Sequence, residues 1–407
     1  MNRPNLARAL AGSLLLIAAS CGDAPDPGGP GVVVTDSLGV ALRTWGHTDQ
    51  DLEAWSADPD PILRVGSLEG DTPDVFGRIS SLILVPGGGV VVTDALAGEI
   101  RRFSSTGEHR GSMGRLGEGP GEFSTSVTLL RVAGDSMWVW DQRQRRLSIF
   151  ADGDLASSWT VPTDVSITRP MPVGSGLIGE AGLRVDGELA SGLSRPPLRV
   201  VRVDRDGSVT ELFETEGREG FMDIRTSNGE ITGVNIFRLP FGRQPYFAVV
   251  PAGHGTRIIG GPNDRLVLRE WSGDGELRAI HRYPGMDRPM TEARVQRARD
   301  DILTRFDEPS PAQRQQLDLL ESTLPDYVPA FDRLWADDED RLWLRRSVED
   351  GVEEWMVLGL DDLRPLARIG LPRGFALMDV RDGLLGGRWL DELEVSHAQV
   401  LRLRTGG

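Results

Sequence analysis

The side chains able to do chemistry in this 407-residue chain are mostly carboxylates and guanidiniums. There are 61 Asp and Glu, five His, one Cys and 45 basic residues, every one of them arginine. Without lysine there is no P-loop lysine, no Schiff-base lysine and no lysine general base. His47, His109, His254, His281 and His397 are scattered, with no pair at helical ligand spacing and no His-Glu-x-x-His. No Gly-x-Ser-x-Gly elbow supports a serine-hydrolase triad. Asp337-Asp338-Glu339-Asp340 and Asp361-Asp362 offer oxygen ligands for calcium, but the run lacks the alternating carboxylates and the glycine of a calcium loop and reads as a solvated turn. Gly117-Glu118-Gly119-Pro120-Gly121 has no Lys-Ser/Thr continuation and leads into a strand, so it reads as a glycine-rich connection and not a phosphate loop. Asp94 and Asp141 close two β-rich runs at equivalent places, as rim ligands or, in the reading favoured here, as ties to their own turns. The candidates for a binding rim are Glu118, Asp141, Arg145 and His254, the last set between Gly253 and Gly255. No catalytic, cofactor or metal-ligating residue is assigned, and calcium is the one ion the carboxylates could take.

The elements that position these residues form a repeat. Phe76-Gly77-Arg78, 81–86, 89–94 and 99–107 make one copy; Glu122-Phe123, 127–131, 135–141 and 146–153 make the next. Each copy is four short β-rich runs broken by Gly, Asp and Pro, the signature of a propeller blade. Later copies keep the hairpin between the inner runs: Val200 to Gly207 then Val209 to Phe213, and Leu266 to Gly275 then Leu277 to Tyr283, each with an Asp-Gly read as a two-residue turn. A fifth copy lies at 334–369 and a sixth at 376–403. The expected fold is therefore all-β, a six-bladed propeller of four-stranded blades over 32–407. The last copy lacks an outer strand, and the early strands at 32–45 are expected to supply it and so close the ring.

One segment breaks the pattern. Thr291 to Phe306 places Val295, Ala298, Ile302 and Phe306 on one helical face, and Ser310-Pro311 with Gln313 forms a capping-box start for a second helix. This predicts a helical hairpin inserted over about 288–325, on the same rim as Gly117–Gly121 and the 181–197 loop.

The first residues are a targeting segment. Arg3 and Arg8 precede an apolar stretch from Ala9 to Ala19, too short to span a bilayer convincingly, and Ala18-Ala19-Ser20 lead to Cys21, the lone cysteine. Small residues before a single Cys resemble a bacterial lipobox. That implies cleavage after residue 20, lipidation of Cys21, a flexible tether over 21–31 and attachment to a membrane. An ordinary secretory signal with an incidental cysteine is the alternative. The formal net charge of −16 argues against nucleic acid as a partner.

The stretch Gly114 to Phe123, followed by Trp138-Val139-Trp140-Asp141, Arg146, Phe150 and Asp152-Gly153, resembles the bacterial six-bladed β-propeller lipoproteins related to NHL-repeat proteins. The resemblance implies a lipid-anchored module in the bacterial cell envelope that binds a protein, glycan or small ligand without catalysis. Some related propellers are calcium-dependent lactonases or lyases, so the alternative is a metal-dependent hydrolase or lyase with its site in the central channel.

Overall fold

Alternation of apolar and polar residues closes each repeat into a small antiparallel sheet. The computed structural model describes residues 31–70, 72–130, 137–151, 153–163, 165–181, 191–227, 230–252, 255–303, 310–349 and 351–406. Cys21 and His254 lie outside them. Four early strands, β1 (Val32–Ser37), β2 (Val40–Trp45), β3 (Glu53–Ala57) and β4 (Leu63–Val65), precede the repeats. Sheet A spans Ile79–Leu84 to His109–Met113, and sheet B spans Val127–Leu130 to Asp154–Thr160. Sheet C joins Ile167–Val173, Gly176–Ala181, Pro197–Val203 and Val209–Glu216. Sheets D (245–282), E (333–370) and F (375–404) follow, F with three strands of its own.

Buried apolar side chains lie between consecutive sheets. Val91, Ile100, Val127 and Val139 fill the A/B contact, and Trp138 and Trp140 meet Ile167 and Leu177 at B/C. Val200 and Trp271 join C to D, Leu268 and Leu344 join D to E, Trp355 and Leu377 join E to F, and Val400 meets Leu82 across F and A. The apolar contacts thus return from the last sheet to the first, consistent with a β-propeller.

The first strand of each sheet lacks a strand partner on its inner edge, and in sheets A, B and F a side chain from the neighbouring sheet bonds its backbone. Asp379 in sheet F accepts from Leu84 N of sheet A at 2.7 Å, and Ser81 Oγ accepts from Leu129 N of sheet B at 3.0 Å. Glu353 accepts from Leu377 N at 3.0 Å, and Asn263 Nδ2 donates to Phe331 O at 2.7 Å.

The hairpin between the last two strands recurs in one form in sheets A, C and D. Gly107, Gly207 and Gly275 each donate to the carbonyl three residues back, with φ of 83°, 86° and 87°. The Asp-Gly pairs therefore sit in longer turns than the two-residue hairpins expected from sequence. Only the glycine takes the left-handed conformation, as in a three-to-five-residue loop built on an ordinary turn.

The expected partner of the early strands is also corrected. β1 and β2 add to sheet D, where β2 runs parallel to Leu277–Arg282, and it is β4 that pairs with Ser396–Arg404 as the fourth strand of sheet F. Burial explains the choice: β4 alternates buried Leu63 and Val65 around exposed Arg64, whereas all six residues of β1 are exposed. β3 runs parallel to Pro365–Gly370 of sheet E and touches the last strand of F. Where β2 docks, Trp45 Nε1 donates to buried His281 Nδ1 at 3.5 Å, next to Glu270 and Arg257. Burial lowers the His281 imidazole. Burial would raise the Glu270 carboxyl, but His281, with its Nε2 3.8 Å away, and two hydrogen bonds from Arg257 at 2.9 Å hold it at about 2.

The helical hairpin is present as α1 (Glu292–Leu303) and α2 (Pro311–Ser322), and Ser310 and Gln313 form the capping box. A three-stranded sheet, with strands Gly192–Ser194, Gly220–Ser227 and Glu230–Arg238, was not anticipated. No helix among the described residues is long and apolar enough to cross a membrane.

Candidate functional site

The rim that carries α1 gathers side chains from the starts of the first strands and the ends of the second strands. Around sheets A and B its acids are held by their own backbone. Asp94, 2% exposed, accepts from Gly77 N at 3.0 Å, Arg78 N at 3.1 Å and Leu96 N at 3.2 Å, and pairs with buried Arg101 at 3.2 Å. Asp141 repeats this one sheet later. It accepts from Ser124 N at 2.6 Å, Ser124 Oγ at 2.7 Å, Arg143 N at 3.1 Å and Gln144 N at 3.0 Å.

The glycine run beside Asp141 cradles an anion of its own. Glu122 turns back so that Oε2 accepts from Gly119 N at 2.8 Å, and Arg115 Nε donates to Oε1 at 2.8 Å. A Cβ on Gly117 would lie 2.1 Å from Glu122 Oε2, so only glycine leaves room for that carboxylate. These bonds, led by the Gly119 amide, lower the Glu122 pKa. Glu118 is exposed and accepts from Arg146 only through its carbonyl, at 2.9 Å. Arg145 is half-buried at φ 51°, where its carbonyl accepts from Val161 N at 2.9 Å. Glu118, Asp141 and Arg145 thus cluster at sheet B and make no common pocket with the larger cavity on this rim.

That cavity, about 530 Å³, lies between α1 and the ends of sheets D and E, lined by Tyr246, Asn263, Asp332 and Arg346 with Arg297 and Ala298 of α1. Arg346 is buried. Its Nε donates to Ala330 O at 2.8 Å and a terminal nitrogen to Met286 O at 2.6 Å, while burial pulls its pKa down to about 10. Tyr246 connects the cavity to a second group of charges. Arg169, from the first strand of sheet C, lies over the Tyr246 ring at 4.5 Å, donates to Pro245 O at 3.0 Å and pairs with Glu180 at 2.6 Å. Burial raises the Glu180 carboxyl even with Arg169 beside it. Gln244 bonds the Tyr246 hydroxyl and accepts from Arg218 Nε at 2.7 Å.

On the other side of Tyr246, Arg345 makes a two-pronged bond to Asp332 at 2.6 and 2.9 Å and reaches Glu353 at 2.5 Å. Arg333, its cross-strand partner, has one bond, to Leu377 O at 3.3 Å. Burial lowers the Arg333 guanidinium, with the nearby charges of Arg345 and Arg388 adding to the shift. Burial, then Arg238 and Arg169, likewise lower Arg218. Arg388 Nε is buried without a hydrogen-bond partner among the described residues. Sequence reasoning missed this group. Its members come from four sheets and the unanticipated three-stranded one, and the only available signal was arginine at the start of a β run, as at Arg169 and Arg333.

Chemically, the arrangement is a polar mouth of guanidiniums and carboxylates beside one aromatic ring. Among the described residues no three His, Cys, Asp or Glu stand together as a metal cluster.

Small sheets in series around such a mouth define the class as propeller-like. No family model matches the chain, and no curated protein matches it. Solved structures similar to it include a member of the DUF4221 family from Bacteroides vulgatus, at 10% identity and TM-score 0.46, covering 86% of this chain and 99% of that one. A calcium-binding regucalcin from Agrobacterium tumefaciens is similar at 11% identity and TM-score 0.38, over 86% of this chain and 96% of that one. A virginiamycin B lyase from Staphylococcus aureus shows 11% identity and TM-score 0.37, over 84% and 98%.

Proposed function

We propose that this chain is an exported, lipid-anchored binding module: a six-bladed β-propeller, held in the bacterial cell envelope through Cys21, whose α1-bearing rim takes a protein, glycan or small ligand. The observation that carries the binding role is the 530 Å³ cavity opening beside Tyr246, lined by Asn263, Arg297, Asp301, Asp332 and Arg346. A concave site lined by an aromatic ring and a few fixed polar groups is a common mark of a ligand-binding surface. The carboxylates Glu180, Asp332 and Glu353 beside Tyr246 support binding over metal-dependent hydrolysis, because Arg169 engages Glu180 and Arg345 engages both Asp332 and Glu353. The signal segment and the small residues before Cys21 support the anchor.

Two measurements test the reading. Cys21→Ser moves the protein from the membrane fraction to the soluble envelope fraction; continued membrane association after that change sinks the anchor. Thermal unfolding with EDTA and then Ca²⁺ shows no metal-dependent rise in midpoint, whereas a rise that EDTA reverses moves the hydrolase alternative ahead.

A further inference from the structure

We propose a second binding site, apart from the α1-bearing rim: the cleft between the three-stranded sheet and sheet C takes an amphipathic monocarboxylate. The apolar body of the ligand lies on Pro196, Leu198, Met222 and Ile236, and its carboxylate meets Arg218 and Arg238. The inference goes beyond the reading of the rim and stands or falls without it.

The cleft encloses about 350 Å³, the size of a small-ligand pocket. Strand pairing builds its outer wall. Met222 stands opposite Ile236, and Gly220 stands opposite Arg238. Directly opposed residues share one face of a sheet, so Met222, Ile236 and Arg238 present a single surface to the cleft. Ile224 and Val234, the next pair on that face, continue the apolar surface outward, where Val234 is 42% and Ile236 62% exposed. The opposite wall is Pro196-Pro197-Leu198, closed onto Gly217: Gly217 N donates to Pro196 O at 3.0 Å, and Arg195 Nε donates to Gly217 O at 3.2 Å. A Cβ on Gly217 would lie 2.2 Å from Pro196 O, so only glycine permits this closure.

The charged end is as defined as the apolar one. Glu219, the one carboxylate of the lining, is taken by Arg243, whose Nε donates to it at 2.9 Å. Arg218 also lines the cleft; its Nε donates to Gln244 at 2.7 Å, and its two terminal nitrogens have no partner among the described residues. The Arg238 guanidinium has none either, and it stands opposite a glycine that offers it no side chain. A guanidinium held in place with its terminal nitrogens free takes a carboxylate through charge-assisted hydrogen bonds. An apolar cleft with its free charge at one end therefore fits a ligand divided in the same way.

The test is thermal unfolding of the full chain at one fixed detergent concentration, with octanoate as the probe and acetate and 1-octanol as controls. Octanoate raises the midpoint in a concentration-dependent way, acetate does not, and octanol binds at least about tenfold more weakly. The double change Arg218→Gln with Arg238→Gln weakens octanoate binding by at least about tenfold. Ile236→Asp, at an exposed position, sets a carboxylate on the same face as Arg238 and abolishes the binding; it keeps the test decisive if the arginine double variant does not fold. Arg115→Gln, whose partner Glu122 lies at sheet B, leaves octanoate binding as it was. Alanine changes across α1 and α2 also leave it intact, which separates this site from the rim. No rise with octanoate overturns the proposal. So does octanol binding as tightly as octanoate, or a rise that the arginine double variant or Ile236→Asp retains in full.

Discussion

Two stretches of one rim treat charge in opposite ways. Around sheets A and B the anions are internal: Asp94, Asp141 and Glu122 are closed off by amides of their own repeat. Around sheets C to F charges from several sheets meet beside Tyr246: Arg169 lies over the ring, Arg345 holds Asp332 and Glu353, Arg333 bonds a carbonyl, and Arg388 Nε is buried without a hydrogen-bond partner among the described residues. The first arrangement is how a repeat stabilises itself, with the partner a fixed number of residues away in the chain. The second has no such local logic, because its members converge from distant segments. A charge satisfied within its repeat is architecture, and a charge left over where repeats converge is open to function.

Substitutions can break this contrast. The largest effect is expected for Asp94→Ala, which leaves buried Arg101 with Glu99 as its carboxylate partner and frees the backbone donors of Gly77, Arg78, Leu96 and Ala97; unfolding should lose about 3–5 kcal/mol by chemical denaturation. If the loss were under about 1 kcal/mol, the structural role assigned to the A/B acids would not hold. Acid probes the same principle in sheet D. Burial lowers the His281 pKa from the ordinary 6.5, so its neutral form contributes stability that is fully present above pH 6.5 and lost as pH falls below that value. Glu270, held at about 2 against an ordinary 4.5, contributes stability present above pH 4.5 and lost as pH falls toward 2. Hydrogen exchange should show residues 40–45 and 277–282 losing protection together in acid. Asp141→Ala, with exposed and buried donors mixed, should cost about 2–3 kcal/mol. Glu118→Ala, one loop away but exposed, should change stability by less than about 0.5 kcal/mol. Equal effects of the last two would erase the distinction between a rim residue and a turn residue.

The β-rich repeats were legible because four runs and their turns recur at fixed spacing, and the capping box at Ser310 is a local signal that needs no tertiary context. The turn role of Asp94 and Asp141 was readable for the same reason. What escaped was everything set by convergence. β4 was invisible as a strand because Leu63-Arg64-Val65 is only three residues long. The strands at 192–238 lacked the blade spacing that guided the rest. The arginine mouth could not be read because each member, taken alone, is an ordinary arginine on a strand or at its end. Of the four rim candidates, Glu118, Asp141 and Arg145 fall at sheet B, while His254 lies outside the described residues.

The threading of residues 32–65 across sheets D, E and F sets the order of assembly. These strands leave the ribosome well before their partners at 277–282, 365–370 and 396–404. β1 and β2 can pair with each other at once, but β3 and β4 and the outer edge of β2 must wait for those later partners. Pairings of such long sequence separation form slowly. The final nine-residue strand then acts as a latch: chains cut short before Ser396 would leave β4 without its partner and present open strand edges, marking them for proteolysis or aggregation before they mature.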